Sequence, residues 1–270
     1  MDKATVAGLV VSFGGITTGL LLEGGKLSQV LQPTAALIVT GGTLGAVLLQ
    51  FPLSTVLAAF RDFRIVLFEP RSKASDEIDR LIKLAQRARR DGIISLDTEL
   101  SSLPDPFMRR ALMLAVDGTE SSELRAIMQL ELDSSAEAEE ELPRVYEAAG
   151  GFAPTIGIIG AVLGLIQVMQ HLDKMEEVGR GIAVAFVATI YGVGFANLVA
   201  LPIAGKLRHR LRFRQILREL TLEGVVSILE GINPRMLEAK LNGFLQQVTE
   251  RSNSAGQLPA DSRSRVRSVS

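Results

Sequence analysis

Gly150-Gly151-Phe152-Ala153-Pro154-Thr155-Ile156-Gly157-Ile158-Ile159-Gly160 opens an apolar run that lasts to Gln170. A short charged turn from His171 to Arg180 follows, and then a second apolar run from Gly181 to Gly205. A helix needs about 20 apolar residues to cross a bilayer, and each run is long enough. Together they read as a membrane hairpin. Pro154 and Pro202 lie near the ends away from the turn, where they remove the helix bonds to the carbonyls of Gly150 and Leu198. Small residues recur at helical spacing on both runs. They fall at Ala153, Gly157, Gly160, Ala161 and Gly164, and again at Gly181, Ala185, Ala188, Thr189, Gly192, Ala196 and Ala200. In lipid such stripes let helix backbones approach closely. One glycine of this kind is ordinary helix packing. Two stripes, one of them holding the polar Thr189, favour a surface that receives another helix.

Working outward, the chain of 270 residues is 47% hydrophobic yet 22% charged, with mean hydropathy +0.27. A positive mean beside so many charges requires segregation, as in a membrane protein with cytosolic parts. The net charge of −1 offers no bulk field for nucleic acid. Without cysteine there is no disulfide, thiolate metal site or cysteine nucleophile, and His171 and His209 are too far apart in sequence to suggest a metal site. No tryptophan and two tyrosines make a thin interfacial aromatic belt.

Ala4 to Leu22 carries no charge and is a first spanning candidate. Glu23-Gly24-Gly25-Lys26 is a turn rather than a cleavage region, and a second span from Thr34 to Phe51 follows between Pro33 and Pro52. From Arg61 to Glu147 the sequence is charged and amphipathic. Ser75 is placed to cap a helix with apolar positions Ile78, Leu81, Ile82, Ala85 and Ala88, and Gly92 stands just past its end. A short helix covers Leu96 to Leu103. Asp105-Pro106 opens another to Val116, stopped at Gly118. A longer helix starts at Ser121 or Ser122 and runs on toward the hairpin, with Pro143 inside it. Past Gly205 the basic Lys206-Leu207-Arg208-His209-Arg210 extends the fourth span; Gly231 ends that helix, and Asn233-Pro234 caps a last one through about Val248. Ser252 to Ser270 has no apolar pattern and reads as a disordered tail.

The sequence thus predicts an all-α integral membrane protein with four transmembrane helices. A cytosolic helical domain lies between spans 2 and 3 and after span 4. The parts are a hairpin at 1–60, a cytosolic helical domain at 61–147, the second hairpin at 148–205, a cytosolic extension at 206–250 and a tail at 251–270. Arg61, Arg64, Arg71 and Lys73 follow span two and the basic cluster follows span four, which places both termini and the long middle segment in the cytosol. No Asp, Glu, Lys or Arg lies within any span. Ion-coupled membrane proteins usually carry one there. Two readings follow: a passive anchor, or a channel whose titratable group arrives on a partner's helix. The cytosolic segments show no phosphate loop, nucleophile constellation or metal-ligand spacing, so the chain reads as neither an enzyme nor a holder of a cofactor.

Several motifs are similar to one known family. They are Leu22-Glu23-Gly24-Gly25, Leu37-Ile38-Val39-Thr40-Gly41-Gly42, Val116-Asp117-Gly118-Thr119, Gly157-Ile158-Ile159-Gly160-Ala161-Val162-Leu163-Gly164-Leu165, Gly181 through Gly192, Leu201-Pro202-Ile203-Ala204-Gly205-Lys206-Leu207 and Glu230-Gly231-Ile232-Asn233-Pro234-Arg235. In this order they resemble the MotA/PomA family, the ion-channel subunits of the bacterial flagellar stator. The resemblance implies a homopentamer in the inner membrane around two single-span, peptidoglycan-binding partners of the MotB type. The partner's membrane aspartate carries the ion, and cytosolic domains of the pentamer drive a rotor protein of the switch complex. Pro154 and Pro202 match the family's functional prolines and Thr189 a polar residue of the ion pathway. Ala88-Arg89-Arg90-Asp91-Gly92-Ile93-Ile94-Ser95-Leu96-Asp97 matches its rotor-facing segment, with Arg89, Arg90 and Asp97 as contact charges; the family's usual Glu is here the shorter Asp97. Sodium-type members have threonine where this chain has Ala161 and Ala188, and some have aspartate at Gln32, so the resemblance implies proton coupling. The rival is an ExbB/TolQ-type proton-channel energiser of outer-membrane processes. Such chains have three spans, whereas this one has the additional hairpin and the Arg89/Asp97 segment. A non-conducting anchor is the remaining alternative.

Overall fold

The computed structural model describes residues 2–67 and 74–255, and every regular element among them is helical. The chain divides into two compact units, Met1–Pro70 with Ala136–Leu211 and Arg71–Ser135 with Arg212–Ser270.

In the first unit, α1 (Lys3–Leu22) is capped by Asp2, whose carboxylate accepts from the backbone N–H of Ala4 at 2.9 Å and Thr5 at 3.4 Å. That satisfies two of the N–H groups a helix start leaves open. The turn predicted at Glu23–Lys26 forms, with Gly24 at φ 79. After the four-residue α2 (Leu27–Val30), α3 (Pro33–Gln50) begins on a proline whose missing N–H costs nothing at that position. It buries Ala35, Val39, Thr43 and Val47, one residue per turn, and Ala35 and Val39 join Val187 and Ala188 in one apolar cluster. Beyond Pro52, α4 (Leu53–Leu67) contributes Val56 and Ala59 to a second cluster with Val145, Tyr146, Ala204 and Leu207.

The second unit begins with α5 (Ala74–Asp91), which buries Ile78, Leu81, Leu84 and Ala85. Ser75 therefore lies inside the first turn rather than capping it. A 3₁₀ turn (Ile93–Leu96) and α6 (Asp97–Leu100) occupy the segment predicted as one short helix. In α7 (Pro106–Val116), Asp105 caps the N–H of Phe107 at 3.2 Å, and Gly118 ends the element at φ 85, as its sequence dictates. Leu81, Met108, Leu112, Leu124, Met128, Leu220 and Leu237 fill this unit's core.

Two long helices contribute residues to both units. One is α8, Ser121–Gln170, which is continuous through Pro143 and Pro154. The other starts with α9 (Met175–Phe195), passes through a π-helical turn at Ala196–Ala200, and continues as α10 (Leu201–Leu229). The charged turn between the apolar runs is shorter than the sequence pattern predicts. It ends at Lys174, because Glu176 and Glu177 fit the first turn of α9, where the helix dipole favours negative charge. The last helix, α11 (Pro234–Ala255), starts where Asn233 caps the N–H of Arg235 at 3.1 Å and continues past Val248. Residues 256–270, most of the predicted tail, lie outside the described residues, as do Arg71 and Lys73.

Among the described residues four helices are long and apolar enough to cross a membrane: α1, α3, α8 and the continuous helix Met175–Leu229. None of α1's residues is buried in the isolated chain, and Val10, Val11 and Ile16 are more than half exposed. An apolar helix with no buried face belongs against lipid or another protein.

Candidate functional site

The two small-residue stripes meet each other. A Cβ placed on Gly192 would lie 2.3 Å from the Ala153 carbonyl oxygen, and one on Gly157 would lie 2.9 Å from that of Ala188. Farther along, Gly164 would touch the Ala185 nitrogen and the Gly181 oxygen, each at 2.9 Å. These approaches are backbone to backbone, so no side-chain adjustment relieves them. The expectation that the stripes form an open receiving surface is therefore corrected: they are used up in the α8–α9 seam. The outward face of α8 is instead built from Ile158, Ile159, Val162, Leu165, Ile166 and Met169, each about half exposed or more.

Thr189 sits half-buried at the edge of this seam, its hydroxyl donating to the Ala185 carbonyl at 3.3 Å. Pro154 is half-buried and Pro202 exposed. Pro154 leaves the Gly150 carbonyl without its helical N–H. Gly150 in turn packs on the other helix: a Cβ there would lie 2.7 Å from Leu201 Cδ2 and 3.6 Å from Ala200 Cβ. Those two residues close the π turn, in which the Leu201 N–H donates to the Ala196 carbonyl, one position farther back than in an α-helix. Pro202 follows directly. The two helix irregularities therefore meet in one place. A π turn is a common feature of functional sites, and the sequence reading missed this one. Its signal was Pro202, whose ring crowds the Leu198 carbonyl and loosens the preceding turn. Asn197, exposed within it, donates to the Val193 carbonyl at 3.0 Å. Thr43, 3% exposed on α3, carries a hydroxyl with no hydrogen-bond partner among the described residues.

At the start of α1, Asp2 also bonds Lys206 and Arg210 of α10. The Lys206 ammonium and these further donors hold its carboxyl well below the usual carboxylate range, against the opposing effect of burial. The first residues of α1 and the basic end of the fourth apolar run therefore lie side by side.

In the second unit Arg89, Arg90 and Asp97 are all exposed, but they are not equivalent. Arg90 is engaged by its neighbour Asp91 at 3.0 Å, which raises the guanidinium pKa and lowers that of the carboxylate. Among the described residues neither Arg89 nor Asp97 has an ion-pair partner. Gly92, at φ 83, turns the chain between them, and the Ser95 hydroxyl donates to its carbonyl at 2.6 Å. Arg87, on the polar face of α5, pairs with Glu99 and donates to Thr98 Oγ1 at 3.2 Å, fastening α6 to α5. The segment bearing Asp97 is thereby held against the helix bearing Arg89.

Deeper in this unit Glu223 bonds Arg125 at 2.9 Å and also pairs with Lys240. Burial opposes its ionisation, yet the two cations prevail and its pKa is lowered. Glu219 behaves oppositely. Burial, then the charge of Asp133, push its pKa up against the smaller pull of Arg212.

A family model described as the MotA/TolQ/ExbB proton channel family matches residues 99–220, and one for the N-terminal part of motility protein A matches residues 6–92. Motility protein A of Bacillus subtilis is 34% identical over 246 residues, covering 91% of each chain. Chemotaxis protein PomA of Vibrio alginolyticus is 30% identical over 247 residues, covering 92% of this chain and 96% of its own. Among solved structures, MotAB of C. jejuni superposes with TM-score 0.86 at 31% identity, covering 90% of this chain and 96% of that one. The flagellar MotAB stator complex of Bacillus subtilis gives TM-score 0.82 at 34% identity, with 89% and 94% covered.

Proposed function

We infer the function from membership: the chain belongs to the motility protein A family, within the MotA/TolQ/ExbB proton channel family, and is a stator subunit of the bacterial flagellar motor. The observation that carries this reading is a match along nine-tenths of the chain, joined to four long helices whose apolar stretches hold no Asp, Glu, Lys or Arg. A conducting path through lipid needs an ionisable group. That group is a carboxylate on the single membrane helix of a MotB-type, peptidoglycan-binding partner. Five copies of this chain surround two of the partner in the inner membrane. Each copy crosses with α1, α3, the later part of α8 and the apolar run from Gly181 to Gly205, and keeps both termini and residues 61–147 in the cytosol. The pairing of Asp2 with Lys206 and Arg210 supports that sidedness, because it sets the N-terminus beside the basic end of span four. The match of residues 6–92 to the N-terminal part of motility protein A favours this reading over an ExbB/TolQ-type energiser.

Protons flow past Thr189, and Pro154 and Pro202 serve as hinges of the same pathway. Their meeting at Gly150, Ala200 and Leu201 supports a single flexing point shared by α8 and the fourth helix. Arg89 and Asp97 contact the rotor, with Arg90 secondary because Asp91 already occupies it. One charge crossing roughly 150 mV releases about 3.5 kcal/mol, less than the about 5.5 kcal/mol that fully inverts a two-state equilibrium. The states that alternate during a step are therefore close in energy, which suits hinges at proline and π turns.

Expression with a MotB-type partner in a stator-deficient motile strain tests this reading. Torque is expected at constant proton gradient whether sodium or potassium is the external cation, and loss of torque in potassium refutes proton coupling. Pro154→Ala is expected to leave assembly intact while impairing torque; normal swimming counts against the hinge. Selective proton leak through liposomes holding this chain alone removes the need for a partner carboxylate.

A further inference from the structure

Each of the two tyrosines of this chain turns its hydroxyl onto the backbone of another segment. Tyr191 of α9 donates to the Val30 carbonyl at 2.6 Å and accepts from the Gln32 N–H at 3.2 Å. Both groups belong to the break between α2 and α3. Val30 ends a four-residue helix, and Gln32 is the N-cap of α3, with Pro33 beyond it. In an apolar stretch without water, backbone groups at such a break need a partner. One phenol supplies both.

Tyr146 of α8, 8% exposed, donates to the Ala59 carbonyl of α4 at 3.0 Å, and its ring meets Phe60 edge-on with centroids 6.4 Å apart. Burial, then the charge of Asp62, push its pKa up to about 12, so the phenol keeps the proton it donates. The Tyr191 phenol holds the start of α3 to α9 with two bonds, and the Tyr146 phenol holds α4, past the end of α3, to α8 with one. Between them Ala35 and Val39 pack with Val187 and Ala188, and Val47 packs in the cluster of Tyr146 and Ala204.

We propose that Tyr191 and Tyr146 are positioning residues that fasten α3 and α4 to the α8–α9 hairpin at two points, so that these helices move as one body during each ion transfer. The motion of a step is then confined to the π turn and proline region instead of being lost as slippage between the hairpins. The functional half of this inference rests on the stator reading above; the fastening itself does not. Phenylalanine is the diagnostic replacement, because it keeps each ring and removes only the hydroxyl.

The test uses the full chain in complex with its MotB-type partner. Amide exchange at Gln32 is expected to be slow in the wild type and about tenfold faster in Tyr191→Phe, the size of one lost hydrogen bond. The Ala36 amide, bonded to the Gln32 carbonyl at 3.0 Å, is expected to be unchanged. Wild-type exchange at Gln32 as fast as in a free loop overturns the clamp. In motors, Tyr146→Phe with Tyr191→Phe is expected to lower stall torque per stator while proton conductance of the same complexes stays at the wild-type level. Unchanged torque, or torque and conductance falling in proportion as fewer stators fold, overturns the positioning role. If the wild-type complex gives neither torque nor conductance, the stator reading fails, and the Gln32 exchange still decides the clamp.

Discussion

In the α8–α9 seam, contact depends on missing atoms: Gly157, Gly164, Gly181 and Gly192 let one backbone lie against another. In the unit built on α5, α7 and α11, contact depends on atoms present, with Leu81, Met108, Leu112, Leu124 and Met128 filling a core of ordinary size. Polar groups divide the same way. Within the apolar stretches Thr189 and Tyr191 turn their hydroxyls onto backbone carbonyls, whereas the other unit packs charged pairs such as Arg87–Glu99 and Glu223–Lys240 around its core. The difference follows from solvent. Where lipid surrounds a helix, apolar bulk adds no driving force and close backbone approach must do the holding. Where water surrounds it, burying large side chains contributes about 25 cal/mol per Å².

The largest effect comes from adding one methyl to the seam. Gly192→Ala forces a carbon against the Ala153 carbonyl, and overpacking of this kind costs about 1–3 kcal/mol. Gly194, two residues on in the same helix, has nothing within 4 Å of its would-be Cβ. There the helix propensity of alanine is expected to stabilise by about 0.5–1 kcal/mol. Unfolding in detergent checks both signs. Equal behaviour of the two variants breaks the contrast between seam and free face.

How much of this was legible beforehand follows the same division. Caps and stops are local chemistry, so Asp105, Gly118, Gly231 and Asn233 read directly. The stripes were visible too, but periodicity gives a face and not what meets it, which is why the seam was taken for an open surface. The π turn depends on a five-residue bond that no side chain announces, leaving Pro202 as its only trace. Tyr191 was hidden because its partners lie 159 and 161 residues away. Arg89 and Asp97 came from resemblance alone, since a charge on an exposed helix end has no signature of its own. Only the folded chain shows that Asp91 occupies Arg90.

A smaller effect, confined to the second unit, is a pair of opposite pH dependences. Glu223 has a lowered pKa, so the stability it contributes is complete above the usual glutamate range and is lost as pH falls through its folded value. Glu219 has a raised pKa, so its contribution is present in acid and lost as pH rises through its folded value. At neutral pH, Glu223→Gln is therefore expected to destabilise by about 1 kcal/mol, as its cations are partly exposed. Glu219→Gln is expected to stabilise slightly. Thermal unfolding between pH 4 and 8 separates them, and shifts of the same sign contradict the assignment.

The smallest effect on stability falls where the largest difference in torque is expected. Arg89→Ala and Arg90→Ala are each expected to change unfolding by less than about 0.5 kcal/mol, as exposed charges do. Their motors are expected to differ. Part of the Arg90 charge is offset by Asp91, whereas Arg89 has no ion-pair partner among the described residues and, in the proposed rotor contact, offers its full charge to an acidic group. Removing Arg89 thus takes away an available contact, and removing Arg90 releases Asp91, an added negative charge beside the same surface. Arg89→Ala is expected to lose more torque at high load than Arg90→Ala, and Asp91→Asn is expected to make Arg90 a working substitute that restores part of the loss. If Arg90→Ala is the worse of the two, the Arg90–Asp91 pair opens in the working motor and the ranking of these charges must be reversed.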